Sequence, residues 1–248
     1  METISLSDRI KSYEDSGKNF LDTKQPIIIR IDGCKFSKLT KSFKKPYDDN
    51  FIELMNKTAE HVISKVENFR FCAVQSDEIN ICMIPAKEET QALYNGSINK
   101  IVSVTASAAA SAFNILFTSH MSETPAYAMF DSRAFNVPKE ECFNYFLSRQ
   151  NDTTRNAIAM TARTYFSHKE VLGKDSDQMK EMLNNINKSF DDIPDYFKYG
   201  RFMFKEKVLK QNPMSPLELV ERSELKKDSF KLIDKRDFVE GYFKWILF

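Results

Sequence analysis

Apolar positions along the chain keep two rhythms. From Phe51 to Val66 small or apolar residues recur every third or fourth position (Phe51, Leu54, Met55, Thr58, Ala59, Val62, Ile63, Val66). That spacing predicts one buried helix face, with Asp48 or Asp49 placed to cap it. Ile27–Ile31, "FRFCAV" (Phe69–Val74) and "INICMI" (Ile79–Ile84) are short runs rich in β-branched and aromatic residues, which predicts strands. "QSDE" (Gln75–Glu78) is a tight polar link between two of them, and Pro85 is expected to end the third. A second helix is expected over roughly Ser97–Phe117, its stretch "TASAAASAF" allowing close packing, and "YAMFDSRAFNVP" (Tyr127–Pro138) reads as a fourth strand and a loop. The order is β-α-β-β-α-β, an α+β fold of the ferredoxin-like kind. Beyond Pro138 helices are expected over Glu140–Phe166 and Ser176–Phe190, and strands over Phe202–Lys210 and Phe230–Phe238. "SPLELVERSELKKD" reads as a polar connection between those strands.

This order makes a geometric prediction. The first and third strands of a ferredoxin-like sheet are antiparallel neighbours, so the end of one lies beside the start of the other. In "IIIRIDGCKF" Asp32 closes the first strand, and Asp77 and Glu78 open the third. Carboxylates far apart in sequence are thereby expected at one sheet edge. Hard divalent cations such as magnesium take oxygen ligands, typically one or two carboxylates plus substrate phosphates. Two such ions could activate an attacking hydroxyl and stabilise a leaving phosphate. Gly33 permits a sharp turn and could offer its carbonyl to a metal. The amides of Cys34, Lys35, Phe36 and Ser37 could cradle a triphosphate. Taken singly, "DG" after a strand is a turn and "SDE" is a solvated hairpin end; their convergence is the signal.

Charge adds little by itself. Lys plus Arg number 36 against 35 for Asp plus Glu, and a near-neutral chain neither supports nor excludes a nucleic-acid partner. Lys41, Lys44 and Lys45 follow the Asp32 strand, Lys100 opens the second helix, and Arg133 is expected to follow the fourth strand; each could neutralise phosphate oxygens. Cys34, Cys72, Cys82 and Cys142 show no CxxC pairing, so reduced thiols and a cytoplasmic location are expected. The charged N-terminal stretch lacks the apolar region of a secretory signal, and no apolar run approaches ~20 residues, so no membrane partner is expected.

"RIDGCKFSKLTKSFKKPYDD", "VQSDEINICM", "FDSRAF" and "YFLSRQNDTTRNA", in this order and spacing, resemble the tRNA-His guanylyltransferase family and its tRNA guanylyltransferase-like relatives, over about Ile27–Arg163. The resemblance implies a palm domain like that of ordinary polymerases; with the N-terminal helix it is expected over residues 1–166, and the residue pattern beyond it predicts a C-terminal extension (167–248) packed on the same domain. It implies 3′-to-5′ extension of a tRNA whose 5′ end is activated by ATP or already carries a triphosphate. The 3′-hydroxyl of an incoming nucleotide such as GTP would attack, with two Mg²⁺ ions at the site. By motif match Asp32, Asp77 and the Gly33 carbonyl would hold metal, and Glu78 would join the catalytic set. Gly33–Ser37, Ser76, Lys45, Lys100 and Arg133 would contact the nucleotide. The family is commonly a homo-tetramer.

One departure stands out. Eukaryotic members carry His-Ile-Asn-Asn shortly after an Arg-Gln pair. Arg149-Gln150 is present here, but the matching positions are Thr154, Arg155, Asn156 and Ala157. This favours the branch that repairs 5′-truncated tRNA by templated addition over the non-templated tRNA-His enzyme, with Arg155 and Asn156 as tRNA-binding candidates. Two readings of other classes are a palm-type nucleotidyl cyclase and a non-catalytic RNA-binding module. The latter would use aromatics such as Phe69 and Phe71 on one sheet face.

Overall fold

The computed structural model describes residues 4–84, 92–121, 126–212 and 215–244. In chain order these form α1 (Leu6–Asp15), β1 (Ile27–Gly33), the short α2 (Phe36–Leu39), α3 (Asp49–Ile63), β2 (Phe69–Gln75), β3 (Glu78–Met83), α4 (Ile98–His120) and β4 (Phe130–Asn136). There follow α5 (Cys142–Tyr165), α6 (His168–Val171), α7 (Ser176–Asn184), α8 (Asp195–Lys198), β5 (Arg201–Asn212), β6 (Ser215–Asp228) and α9 (Arg236–Phe243). The sheet order is β4-β1-β3-β2-β5-β6, every adjacent pair antiparallel. Its first four strands have the ferredoxin-like order, and β5 continues the same sheet from β2.

Strand parity sorts the side chains into two cores. Ile27, Ile29 and Ile31 of β1 and Ile79, Ile81 and Met83 of β3 pack under α3 and α4 with Leu54, Met55, Val62 and Phe113. Ile28 and Cys82 point the other way, to Phe143 and Phe146 of α5 and Val239 and Phe243 of α9. α3 forms because its apolar positions share one face and because Asp48 caps it, accepting from the Phe51 amide at 3.1 Å. α4, with an 18-residue window of mean hydropathy 1.6, is more apolar than expected. Among the described residues it is the one helix long and apolar enough to cross a membrane, yet here it packs on α3 and β4.

Three expectations change. "SPLELVERSELKKD" is a strand, not a connection: β6 pairs with β5 in a ribbon that runs past the sheet, since β5 meets β2 only at Arg201–Phe204. Phe230–Phe238 is no strand but a 3₁₀ turn (Leu232–Lys235) leading into α9. Phe69 and Phe71 do not share a face, because a register shift between them sends Phe69 to the α3–α4 core and Phe71 to the α5–α9 core. Both are buried, which removes them as an RNA-stacking platform. Pro85, expected to end the third strand, lies outside the described residues.

Candidate active site

β1 carries Asp32 to the end of the sheet, opposite Glu78 of β3 and Asp131 of β4. The Gly33 amide donates to the Asp77 carbonyl at 3.2 Å, which ties the strand end to the β2–β3 turn. That turn is tight: Gln75 pairs with Glu78, and Ser76 takes φ 50°. Over these strand ends opens a cleft of about 540 Å³. Asp32, Ser76, Asp77 and Glu78 line it; so do Lys44, Lys45 and Tyr47 from the chain before α3, and Asp152, Asn156, Met160 and Arg163 from α5. The α5 residues recur at helical spacing, so the far half of that helix presents one face to the cleft.

The two aspartates crowd one another. Burial raises the Asp32 pKa, Asp77, Glu78 and Asp131 raise it further, and Arg30 partly opposes them. Asp77 is raised mainly by burial, with Glu78 adding repulsion and the Ser76 hydroxyl partly opposing it. Carboxylates in this state favour a cation.

Glu78 is different. Arg149 grips it with two hydrogen bonds, Nε to Oε1 at 2.9 Å and Nη2 to Oε2 at 2.8 Å. Arg30 approaches Oε2 at 2.5 Å, and Asn80 Nδ2 donates to Oε1 at 2.7 Å. Tyr145 donates to Asn80 Oδ1 at 2.6 Å, which extends the network into α5. Both oxygens of Glu78 are therefore engaged by the protein. These contacts let Glu78, which lines the cleft, tie the start of β3 to α5. Burial opposes the Arg149 charge, but Glu78 and Asp152 outweigh it and the pKa is raised.

The phosphate-cradling turn is narrower than expected. The Cys34 amide is spent on the Met129 carbonyl at 2.8 Å, which leaves the amides of Lys35, Phe36 and Ser37 at the first turn of α2. Lys35 takes φ 59°. The Phe36 ring is buried among Phe51, Phe113 and Phe130, so only its backbone faces outward chemistry. Gly33 is required by close approach: a Cβ there would lie 2.4 to 2.7 Å from Phe36 ring carbons.

Other expected residues divide. Lys45 lines the cleft, its Nζ donating to the Thr40 carbonyl at 2.9 Å, and Asn156 lines it from α5. Arg155 is exposed and pairs with Asp152, which itself lines the cleft. Lys100 lines a separate recess with Lys65, Glu67 and Leu93, because the length of α4 carries its first turn away from the strand ends. Arg133 stands opposite Arg30 on β4, exposed and 3.8 Å from Asp131. Sequence reasoning missed Arg30, Asp152, Arg163 and Arg201. A helical wheel of α5 would have shown Asp152 and Arg163 beside Arg149 and Asn156.

A family model described as "Thg1: tRNAHis guanylyltransferase" matches residues 7–138. The chain belongs to this family. Thg1 membership makes it a nucleotidyltransferase and agrees with the palm-type sheet. The solved structure of a bacterial Thg1-like protein in complex with ATP superposes with a TM-score of 0.86 at 31% identity, covering 97% of this chain and 99% of that one. A bacterial Thg1-like protein in complex with GTP gives 0.81 at 29%, with the same coverage. The tRNA(His) guanylyltransferase of Saccharomyces cerevisiae is 27% identical over 199 residues, 73% of this chain and 82% of the relative. An uncharacterized protein, R259, of Acanthamoeba polyphaga mimivirus is 28% identical over 232 residues, 84% of this chain and 79% of the relative. The structural likeness also spans the chain beyond Arg163, which the quoted sequence motifs did not reach.

Proposed function

We propose that the chain adds nucleotides in the 3′-to-5′ direction to the 5′ end of tRNA, as templated repair of truncated ends. One observation carries this reading: Asp32 and Asp77, brought from two strand ends into one cleft, are half-buried beside each other and Glu78, and burial with mutual repulsion raises both pKa values. Such a donor set suits magnesium, with the Gly33 carbonyl completing it. Bound there, magnesium would neutralise phosphate oxygens and lower the pKa of an attacking hydroxyl. Lys44, Lys45 and Arg163 supply cationic groups at the cleft for triphosphate tails. ATP and GTP are the nucleotides that the bacterial relatives hold.

The choice of repair over tRNA-His guanylylation rests on Thr154–Ala157. Thr154 Oγ1 donates to the Lys198 carbonyl at 3.0 Å, while Asn156 and the buried Ala157 are the two of the four that line the cleft. The test is addition to tRNAs shortened by one nucleotide, with each base in turn at the templating position. Addition of the complementary nucleotide supports repair; guanylate added whatever the template supports the tRNA-His activity instead. A cyclic or oligonucleotide product made without RNA would point to a cyclase.

Assembly as a homo-tetramer and a cytoplasmic location belong to the same proposal. α1 buries no residue, and its Leu6, Ile10 and Tyr13 form an exposed apolar stripe that a second copy would cover. Sedimentation tests this.

A further inference from the structure

Two thiols meet where α5 starts on the sheet. Cys82 of β3 and Cys142, the first residue of α5, are buried in one core cluster with Ile28, Phe71 and Phe146. Both are free cysteines, and their side chains are hydrogen-bonded to each other. Strand parity keeps Cys72 out of the pair. It lies opposite Ile81 and shares its core under α3 and α4, whereas Cys82 faces α5. The two thiols also differ in character. The hydrogen bond from Cys82 lowers the Cys142 pKa below the ordinary thiol value, with burial opposing it. Burial raises that of Cys82, and the Arg70 charge partly offsets the rise. Cys142 stands besides at the positive end of a 24-residue helix. These are the surroundings of a nucleophilic thiolate with a second thiol in reach.

We propose that Cys82 and Cys142 form an oxidation site, closing reversibly to a disulfide that joins β3 to α5. The oxidant is a small hydroperoxide such as hydrogen peroxide. The Cys142 thiolate attacks one peroxide oxygen and the O–O bond breaks. The sulfur becomes a sulfenic acid, and the departing hydroxide leaves as water with the proton that Cys142 gave up. The Cys82 sulfur then attacks the Cys142 sulfur. The S–S bond forms, the S–O bond breaks, and the hydroxyl leaves as a second water with the Cys82 proton. Two thiols lose two electrons and one peroxide is reduced to two waters. Thiols already in hydrogen-bond contact need only a short approach to reach the ~2.05 Å of a disulfide. Peroxide is small and uncharged, and it enters at the start of α5, since helix ends open more readily than helix middles. The link would brace the elements that Glu78 and Arg149 already tie. Cys82 lies four residues along β3 from Glu78, and Cys142 about two helical turns before Arg149. A bond there fixes the angle of α5, whose far half lines the cleft.

The test treats the full chain with hydrogen peroxide, alkylates it with N-ethylmaleimide in denaturant, and maps the cysteines by mass spectrometry. The expected product is a linked Cys82–Cys142 peptide, lighter by two hydrogens than the two free peptides together and returned to thiols by dithiothreitol. Cys72 should stay alkylatable. The thermal midpoint of the oxidised protein should exceed that of the reduced protein by about 5 °C or more, because the link closes a loop of roughly 60 residues. Cys142→Ala should abolish both the linked peptide and the shift. An unaltered protein whose Cys82 and Cys142 both remain alkylatable after peroxide overturns the proposal without any variant having to fold. So does a link from Cys82 to Cys34 or Cys72, oxidation of Cys142 to a sulfinic acid with Cys82 left free, or a midpoint shift that survives Cys142→Ala.

Discussion

Glu78 and Arg149 meet through two parallel hydrogen bonds, both side chains largely out of water. A forked guanidinium on a carboxylate fixes angle as well as distance. The Asp77 turn is thereby clamped to α5 from the residue next to it. Removing one partner of such a buried pair strands the other, at a cost of about 3 kcal/mol. Arg149→Met and Glu78→Gln are each expected to lower the unfolding free energy by about that amount and to reduce the rate of nucleotide addition. Arg149→Lys keeps charge but not the fork and should recover stability better than rate. Urea unfolding and single-turnover addition, measured side by side, check this. A Glu78→Gln protein with full rate would show that the clamp does not position the site.

Asp32 and Asp77 should behave in the opposite sense. Both pKa values are raised in the folded state, chiefly by burial. Such a group contributes stability that is fully present below its unfolded pKa and is lost as pH rises through its folded pKa. The metal-free protein should therefore be more stable on the acid side of that window than above it, as far as these two groups decide. Asp32→Asn or Asp77→Asn should raise the thermal midpoint without divalent cation and abolish addition. Magnesium should stabilise only the parent protein, by about 2.7 kcal/mol at a hundredfold excess over Kd. Scanning calorimetry with and without magnesium reads both effects.

Gly33→Ala places a methyl group against the Phe36 ring. Overpacking of this kind costs about 1–3 kcal/mol. The ring is wedged among Phe51, Phe113 and Phe130 and has little room to retreat. The substitution is expected to weaken nucleotide binding by shifting the turn, and Phe36→Leu in the same chain should restore part of it. Failure of the second change to restore anything would place the defect elsewhere.

Gln150, the neighbour of Arg149, serves the C-terminal half. Its Nε2 donates to the Tyr199 and Phe230 carbonyls at 3.1 and 2.9 Å, and its Oε1 accepts from the Leu232 amide at 2.8 Å. Gln150→Leu would leave three backbone groups unpaired in a buried setting and should destabilise by about 2–4 kcal/mol. Limited proteolysis should then cut first after Tyr199.

The catalytic half of the fold was legible because its signals are local. Ile27–Ile31 and Ile79–Ile84 are buried runs, and their pairing followed from element order. β6 was not legible because "SPLELVERSELKKD" carries seven charged residues and pairs with β5 alone, at the edge of the sheet order. α9 was missed because Phe230 and Phe238 look like a strand's aromatics, although they flank a turn and a helix start. Asp32 and Asp77 were found together because strand order alone predicts their meeting. The partners of Glu78 were not: Arg149 lies 71 residues away, and only the packing of α5 across the sheet brings it in. The place of Lys100, in a recess apart from this cleft, was not legible for a related reason, since a helix start can sit at either end of a sheet.

The alternation along β1 binds chemistry to folding. Ile27, Ile29 and Ile31 face one core while Ile28, Arg30 and Asp32 face the other side. Inserting or deleting a single residue between Ile27 and Asp32 would turn the carboxylate into an oily interior and expose an isoleucine in its place. Paired changes that restore the parity, or insertions beyond Ser37, escape this constraint. The strand thus audits its own register: a chain that has buried its isoleucines has already aimed its aspartate.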